Sequence, residues 1–242
     1  MYLDIIDAQN PKKRRLVVAE KIIYEYIPIF LALLIVLPFH EFAHAFAAVK
    51  CGDLTPKLSG RYTLNPMAHF DALGLLCFVL AHFGWAKPVP VNPDNFRHYK
   101  RGCFWVASAG VIMNYILAFV FIPLCFLSLR IPSFGYFTAV LQNALYYVVA
   151  LSLSFFVFNL IPVYPLDGFH LYATLSKKRG GLYNFLRYKG IYVLYALMLL
   201  GVISDYTGIW QLDILGIAMN FLVTYLGWPL WQFWTWIWGL FV

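Results

Sequence analysis

The stretch Tyr26–Val49, YIPIFLALLIVLPFHEFAHAFAAV, decides how this chain is read. It is an apolar run long enough to cross a bilayer, for which about 20 residues suffice. Near its end, His40, Glu41 and His44 fall within five consecutive positions. Two histidines four apart project from one face of a helix, one turn above the other. That spacing lets both imidazoles reach one metal ion, and places Glu41 to manage a proton of water held there. Ionisable residues inside an apolar span are costly and point to function. Pro28 suits the first turn of the helix, Pro38 is expected to kink it, and Gly52-Asp53 ends it.

Composition extends that reading to the whole chain. Of 242 residues, 62% are apolar and only 12% charged, against about 25% charged in a soluble domain. The mean hydropathy is +0.71. A surface this apolar aggregates in water, so the expectation is one α-helical polytopic membrane domain over 1–242. It is expected to have about five to six membrane segments, with short strand-like or extended elements near the site. Its core would span about 27–175, with C-terminal helices over about 190–242. The net charge of +7 comes from 18 basic and 11 acidic residues. The basic residues gather at the ends of apolar runs, which favours lipid headgroups over nucleic acid as the partner. Cys51, Cys77, Cys103 and Cys125 form no C-x-x-C pair, so neither a disulfide framework nor a thiolate zinc site is expected. Lys12-Lys13-Arg14-Arg15 before an apolar stretch, and Ala45-Phe46-Ala47 after it, imitate a signal peptide. Glu20, Lys21 and Glu25 interrupt that stretch, and cleavage would remove the histidine pair, so the chain is read as uncleaved.

Working outward, Leu58–Pro66 is rich in turn residues and reads as extended. A short apolar segment follows at about 72–85. In Lys87-Pro-Val-Pro-Val-Asn-Pro93 prolines alternate with other residues, which disfavours helix and suits a strand at a sheet edge. Apolar runs at about 103–129, 137–161, 191–203 and from 214 onward complete the set. Trp228 to Trp238 contains five tryptophans, as suits a membrane interface or a protein contact. There is no internal repeat.

A catalytic zinc takes three protein ligands and leaves one position open. Besides Glu41, the acidic residues in apolar surroundings are Asp71, Asp167, Asp205 and Asp213. Asp167 stands out because Asn159-Leu-Ile-Pro162-Val-Tyr-Pro165-Leu precedes it. The two prolines break the helix, and irregular backbone at membrane depth is tolerated only inside protein or beside a polar cavity. His69 and Asp71 read either as supporting or ion-binding groups or as structural ones. His82, His98 and His170 read as interfacial rather than ligating.

His40-Glu-Phe-Ala-His44 and Asn159-Leu-Ile-Pro-Val-Tyr-Pro-Leu-Asp167-Gly168 together resemble the site-2 protease family of intramembrane zinc metalloproteases. Gly60-Arg-Tyr-Thr-Leu-Asn-Pro66, His69-Phe-Asp71 and Gly84-Trp-Ala-Lys-Pro-Val-Pro-Val-Asn-Pro93 are similar to its compact bacterial branch without a PDZ domain. The resemblance covers roughly Pro38 to His170. It implies that His40, His44 and Asp167 bind zinc, that Glu41 is the catalytic acid/base, and that Asn114 and Asn159 assist catalysis. It further implies a transmembrane protein or peptide as substrate, and a bacterial inner membrane as the setting. Two departures stand out. Gly110-Val-Ile-Met-Asn114 replaces the frequent Gly-Pro-x-x-Asn, and Phe169 replaces a frequent second glycine after Asp-Gly.

The two motifs meet only if both ends lie at one side or at one depth, which requires an even number of crossings between them. The segment 72–85 is therefore expected to be re-entrant or peripheral. Lys50, Lys57, Arg61, Arg97, Lys100, Arg101 and 177–189 would be cytoplasmic, with 130–135 and 205–213 outside. Lys12–Arg15 then sit on the wrong side unless 16–36 is re-entrant or interfacial. Two other functions fit part of the pattern. A zinc transporter also places histidine and aspartate in the membrane, but commonly shows an inverted repeat. An inactive homologue acting as a scaffold would have no need of Glu41.

Overall fold

The structure, a computed structural model, describes residues 18–74, 77, 84–176 and 179–240. Lys12–Arg15, His82, Lys177, Lys178 and most of the expected segment 72–85 lie outside the described residues. Among the described residues five helices are long and apolar enough to cross a membrane. They are α1 (Val18–Cys51), α3 (Tyr99–Ser128), α4 (Tyr136–Asn159), α7 (Gly190–Thr207) and α8 (Ile214–Gly239). Shorter helices are α2 (Thr55–Leu58), α5 (Asp167–Leu175) and α6 (Gly181–Tyr188). The chain is thus a multi-pass α-helical membrane protein.

Helix α1 starts earlier than hydropathy alone indicates, and it is continuous from Val18, so no re-entrant turn interrupts it over 18–36. A π-helical turn at Ile22–Tyr26 marks its one irregularity. Pro28 has no N–H to offer the Tyr24 carbonyl one turn back. That carbonyl instead accepts from Asn143 Nδ2 of α4 at 2.9 Å, tying α1 to α4. Pro38 lies inside the helix.

Helices α1, α3 and α4 form the central group. Ala32 and Val36 of α1 pack on Val148 of α4, while Ala118 and Ile122 of α3 meet Val149 and Leu153 of α4 and Leu230 of α8. Small side chains let these backbones approach closely, as association in lipid requires. The C-terminal tryptophans divide between the two readings offered for them. Trp231 and Trp238 lie against Phe126 and Trp234 against Phe119 of α3. Trp228 and Trp236 remain exposed. All four cysteines are free.

The expected strand-like segments fold otherwise. Leu58–Pro66 is not a strand: Thr55–Leu58 is a helical turn and Pro66–Ala68 a 3-10 turn. Among the described residues the one β pairing is an isolated bridge from Phe70 to Ala86. Residues 87–92 form no helix, turn or strand, Asn92 is in extended backbone, as the residues before Pro88 and Pro90 are also held, and Pro93–Asn95 forms a 3-10 turn. His69 and Asp71 serve local structure here, His69 Nε2 bonding the Thr63 carbonyl and Asp71 accepting from Gly74 N–H.

What fixes the extended segment is Asp53, just beyond α1. Its buried carboxylate accepts from Thr55 N–H and Oγ1–H, from Asn92 N–H at 2.8 Å and from Asn95 Nδ2 at 2.8 Å. Burial works against that charge, but the hydrogen bonds from Asn95, Thr55 and Asn92 outweigh it and hold the carboxyl below its ordinary 3.8. A carboxylate lowered on folding stabilises the fold above its unfolded pKa and loses that contribution as pH falls through the lowered value. Asp53→Ala is therefore expected to cost about 2–3 kcal/mol, since it orphans charge-assisted donors. In thermal unfolding in detergent, the acid-dependent loss assigned to this group should disappear in the variant.

Candidate metal centre

His40 and His44 occupy one face of α1, one turn apart, and Asp167 opens α5. The loop between α4 and α5, with a cis Tyr164–Pro165 bond, turns the chain back so that Asp167 faces the histidines. Its packing is tight. A Cβ on Gly168 would lie 2.3 Å from the Leu160 carbonyl oxygen, so only glycine lets α5 start this close to the end of α4. Among the described residues the spans between the two motifs are α3 and α4.

The three side chains converge. Asp167 Oδ2 lies 3.2 Å from His44 Nε2 and 3.6 Å from His40 Nε2. The two Nε2 atoms are 3.2 Å apart, and one potential ligand atom from each residue falls within 4.8 Å of the others. The imidazoles are held from behind. His44 Nδ1 lies 2.7 Å from the Val106 carbonyl of α3, so Nδ1–H donates to it and Nε2 keeps a bare lone pair. The Asn114 Nδ2 sits 3.0 Å from His40 Nδ1, and Asn114 Oδ1 is a buried orphan. Exchanging the two ends of this amide, which have the same shape, lets Oδ1 accept from Nδ1–H, satisfies the orphan and frees His40 Nε2.

The donor set fits zinc. Two imidazole nitrogens and a carboxylate oxygen are its usual ligands at a catalytic site. Asp167 Oδ2 is buried without a hydrogen-bond partner, and a cation between it and the two nitrogens supplies what it lacks. Space is reserved as well: a Cβ on Gly110 of α3 would lie 2.3 Å from His44 Nε2 and 2.5 Å from His40 Cε1.

Glu41 is buried next to this group, and its Oε2 accepts from Val89 N–H at 3.1 Å. Glu41, the two histidines and Asp167 line a cavity of about 1040 Å3. Asn159 lines it too, with Nδ2 donating to the Phe155 carbonyl of its own helix rather than contacting the metal-site residues. Phe169 is on its wall, with its ring packed on Tyr164 and Tyr183. His170 borders the cavity but is not in the ligand group. Lys100, Arg179 and Arg187 border the same cavity. Of the other acids considered, Asp213 caps α8 through Gly216 N–H, and Asp205 lies in α7 outside the ligand group.

Sequence reasoning passed over Gly110, Asp53 and the Val89–Glu41 contact. Gly110 was legible only as part of a motif with Asn114; its closeness to the imidazoles depends on how α3 crosses α1. Gly110→Ala is expected to abolish stoichiometric metal binding while leaving helix content intact, checked by metal analysis and circular dichroism of the purified protein. A variant that retains one metal per chain would contradict this geometry.

Comparison with known proteins agrees with the site. A model described as Peptidase family M50 matches residues 129–202, a stretch that includes Asp167. A protein of Bacillus subtilis (strain 168) named "Putative zinc metalloprotease YwhC" is 37% identical over 147 residues, or 60% of this chain and 67% of the relative. No solved structure matches the chain. Identity at this level across two thirds of that relative, together with the model's match around the aspartate, establishes that the chain belongs to peptidase family M50, the site-2 proteases.

Proposed function

We propose that this metalloprotease is an intramembrane zinc endopeptidase, hydrolysing peptide bonds in or near transmembrane segments of other membrane proteins. Residues 1–242 act as one membrane-embedded protease domain in a bacterial inner membrane, with lipid and a transmembrane protein or peptide as its partners. The observation that carries this reading is a metal-type triad, buried at His40 and half-buried at His44 and Asp167, on and beside apolar spans, with Glu41 next to it and a cavity of about 1040 Å3 in front.

Hydrolysis at this depth needs an activated water and a place for the charge that develops. His40, His44 and Asp167 would hold zinc, which when bound polarises water and the scissile carbonyl. Glu41 takes a proton from the attacking water and returns it to the leaving amine. Asn114 and Val106 keep the two imidazoles turned toward the centre. Asn159 spends one amide hydrogen on Phe155 and keeps the other for the oxyanion. Its neighbours along the cavity wall receive an extended peptide, since a helical one hides its carbonyls in its own hydrogen bonds.

Glu41→Gln should lower cleavage of a transmembrane model substrate in detergent by about a thousandfold, the scale of lost acid–base catalysis, with metal content unchanged. Chelation should silence the wild type, and zinc should restore it. Wild-type metal flux into liposomes without any cleavage would instead favour transport.

A further inference from the structure

Residues 87–92 form a strap across the site, fastened at both ends. At one end Lys87 N–H donates to the His69 carbonyl at 2.7 Å, beside the Phe70–Ala86 bridge. At the other, Asn92 N–H and Asn95 Nδ2 donate to the buried Asp53 carboxylate. Between these anchors one backbone group touches the reaction machinery: Val89 N–H donates to Glu41 Oε2.

The proline pattern explains why it is that group. In extended chain, alternate residues direct their backbone groups to the same side. Lys87 and Val89 share one side, and both donate into the enzyme. The alternate positions are Pro88 and Pro90, which have no N–H to offer. A substrate strand laid along the proline side would meet carbonyls without donors. On the other side Lys87 and Val89 have given their donors to His69 and Glu41, which leaves Val91 N–H alone, so 87–91 has little to offer an added strand. Each proline also holds the residue before it in extended backbone, so the strap is stiff where it crosses Glu41.

We propose that the Val89 amide is a positioning group for catalysis. It fixes one oxygen of Glu41 and leaves the other turned to the water and the leaving amine, while Pro88 and Pro90 keep the strap in place by holding its backbone extended. This rests on Glu41 acting as the acid/base, and it goes further by assigning a role to a backbone group fastened by Asp53 and His69. The contact directs the carboxylate and takes part in no bond-making step.

Full-length protein in detergent tests it in two ways. The first reads the contact without turnover. With 15N-valine labelling, the Val89 amide should exchange slowly in the wild type and at least about tenfold faster in Glu41→Ala, as expected when a charge-assisted acceptor is lost. Equal exchange in the two proteins would overturn the proposal. The second removes the donor. Val89→Pro deletes the N–H in backbone that is already extended, and should lower kcat by about tenfold, the worth of one such hydrogen bond, with KM and zinc content held. Val89→Ala keeps the amide and should recover most of the turnover. Unchanged or increased kcat in Val89→Pro, or an equal loss in Val89→Ala, would refute the role for the amide. Complete loss of folding in Val89→Pro leaves the exchange measurement to decide. Cleavage that persists in Glu41→Gln would instead overturn Glu41 as the acid/base, and absence of cleavage by the wild type would overturn the protease reading, results separable from both.

Discussion

The structure turns on a buried electrostatic problem: one carboxylate oxygen and two imidazole nitrogens brought face to face in apolar surroundings. Asp167 Oδ2 has no hydrogen-bond partner of its own, and leaving such a group unpaired in a low-dielectric interior is costly. A divalent cation resolves the problem for all three side chains at once. Much of the surrounding architecture reads as a response to that requirement. Gly110 clears space beside the rings, Val106 and Asn114 turn their lone pairs inward, and Gly168 lets the start of α5 press against the end of α4.

The spans explain how distant parts of the chain meet. α3 and α4 leave the histidine side and return to it, so that a residue just after α4 reaches residues near the end of α1. Packing between α1 and α4 runs through Ala32, Val36 and Val148, small enough to let the helices approach, and Asn143 takes the carbonyl that Pro28 leaves free. Rigidity gained here is transmitted to the centre because His40 and His44 sit on the same helix as those contacts.

The five spans were legible because long apolar runs have one physical meaning in a chain this poor in charge. The convergence of His40, His44 and Asp167 was legible because helical spacing fixes His40 against His44, and because a proline-broken loop singled out Asp167. The loops were misread for an equally physical reason. Alternating prolines exclude helix but do not create a sheet partner, so 87–92 is neither helix nor strand. In 55–68, turn-forming residues closed short helical turns that composition does not distinguish from extended chain. Asp53 looked like a helix stop, and nothing nearby in sequence revealed that Asn92 and Asn95 would come to meet it. The early start of α1 was hidden by Glu20, Lys21 and Glu25, charges that a helix end tolerates where it emerges from lipid.

X-ray absorption at the zinc edge, on protein loaded with one equivalent of zinc, tests the central claim most directly. The account predicts a light-atom shell at about 2.0–2.2 Å with the outer scattering of two imidazoles, and loss of one imidazole from that pattern in His44→Ala. A sulfur shell near 2.3 Å, or a spectrum unchanged when His44 or Asp167 is removed, would contradict it.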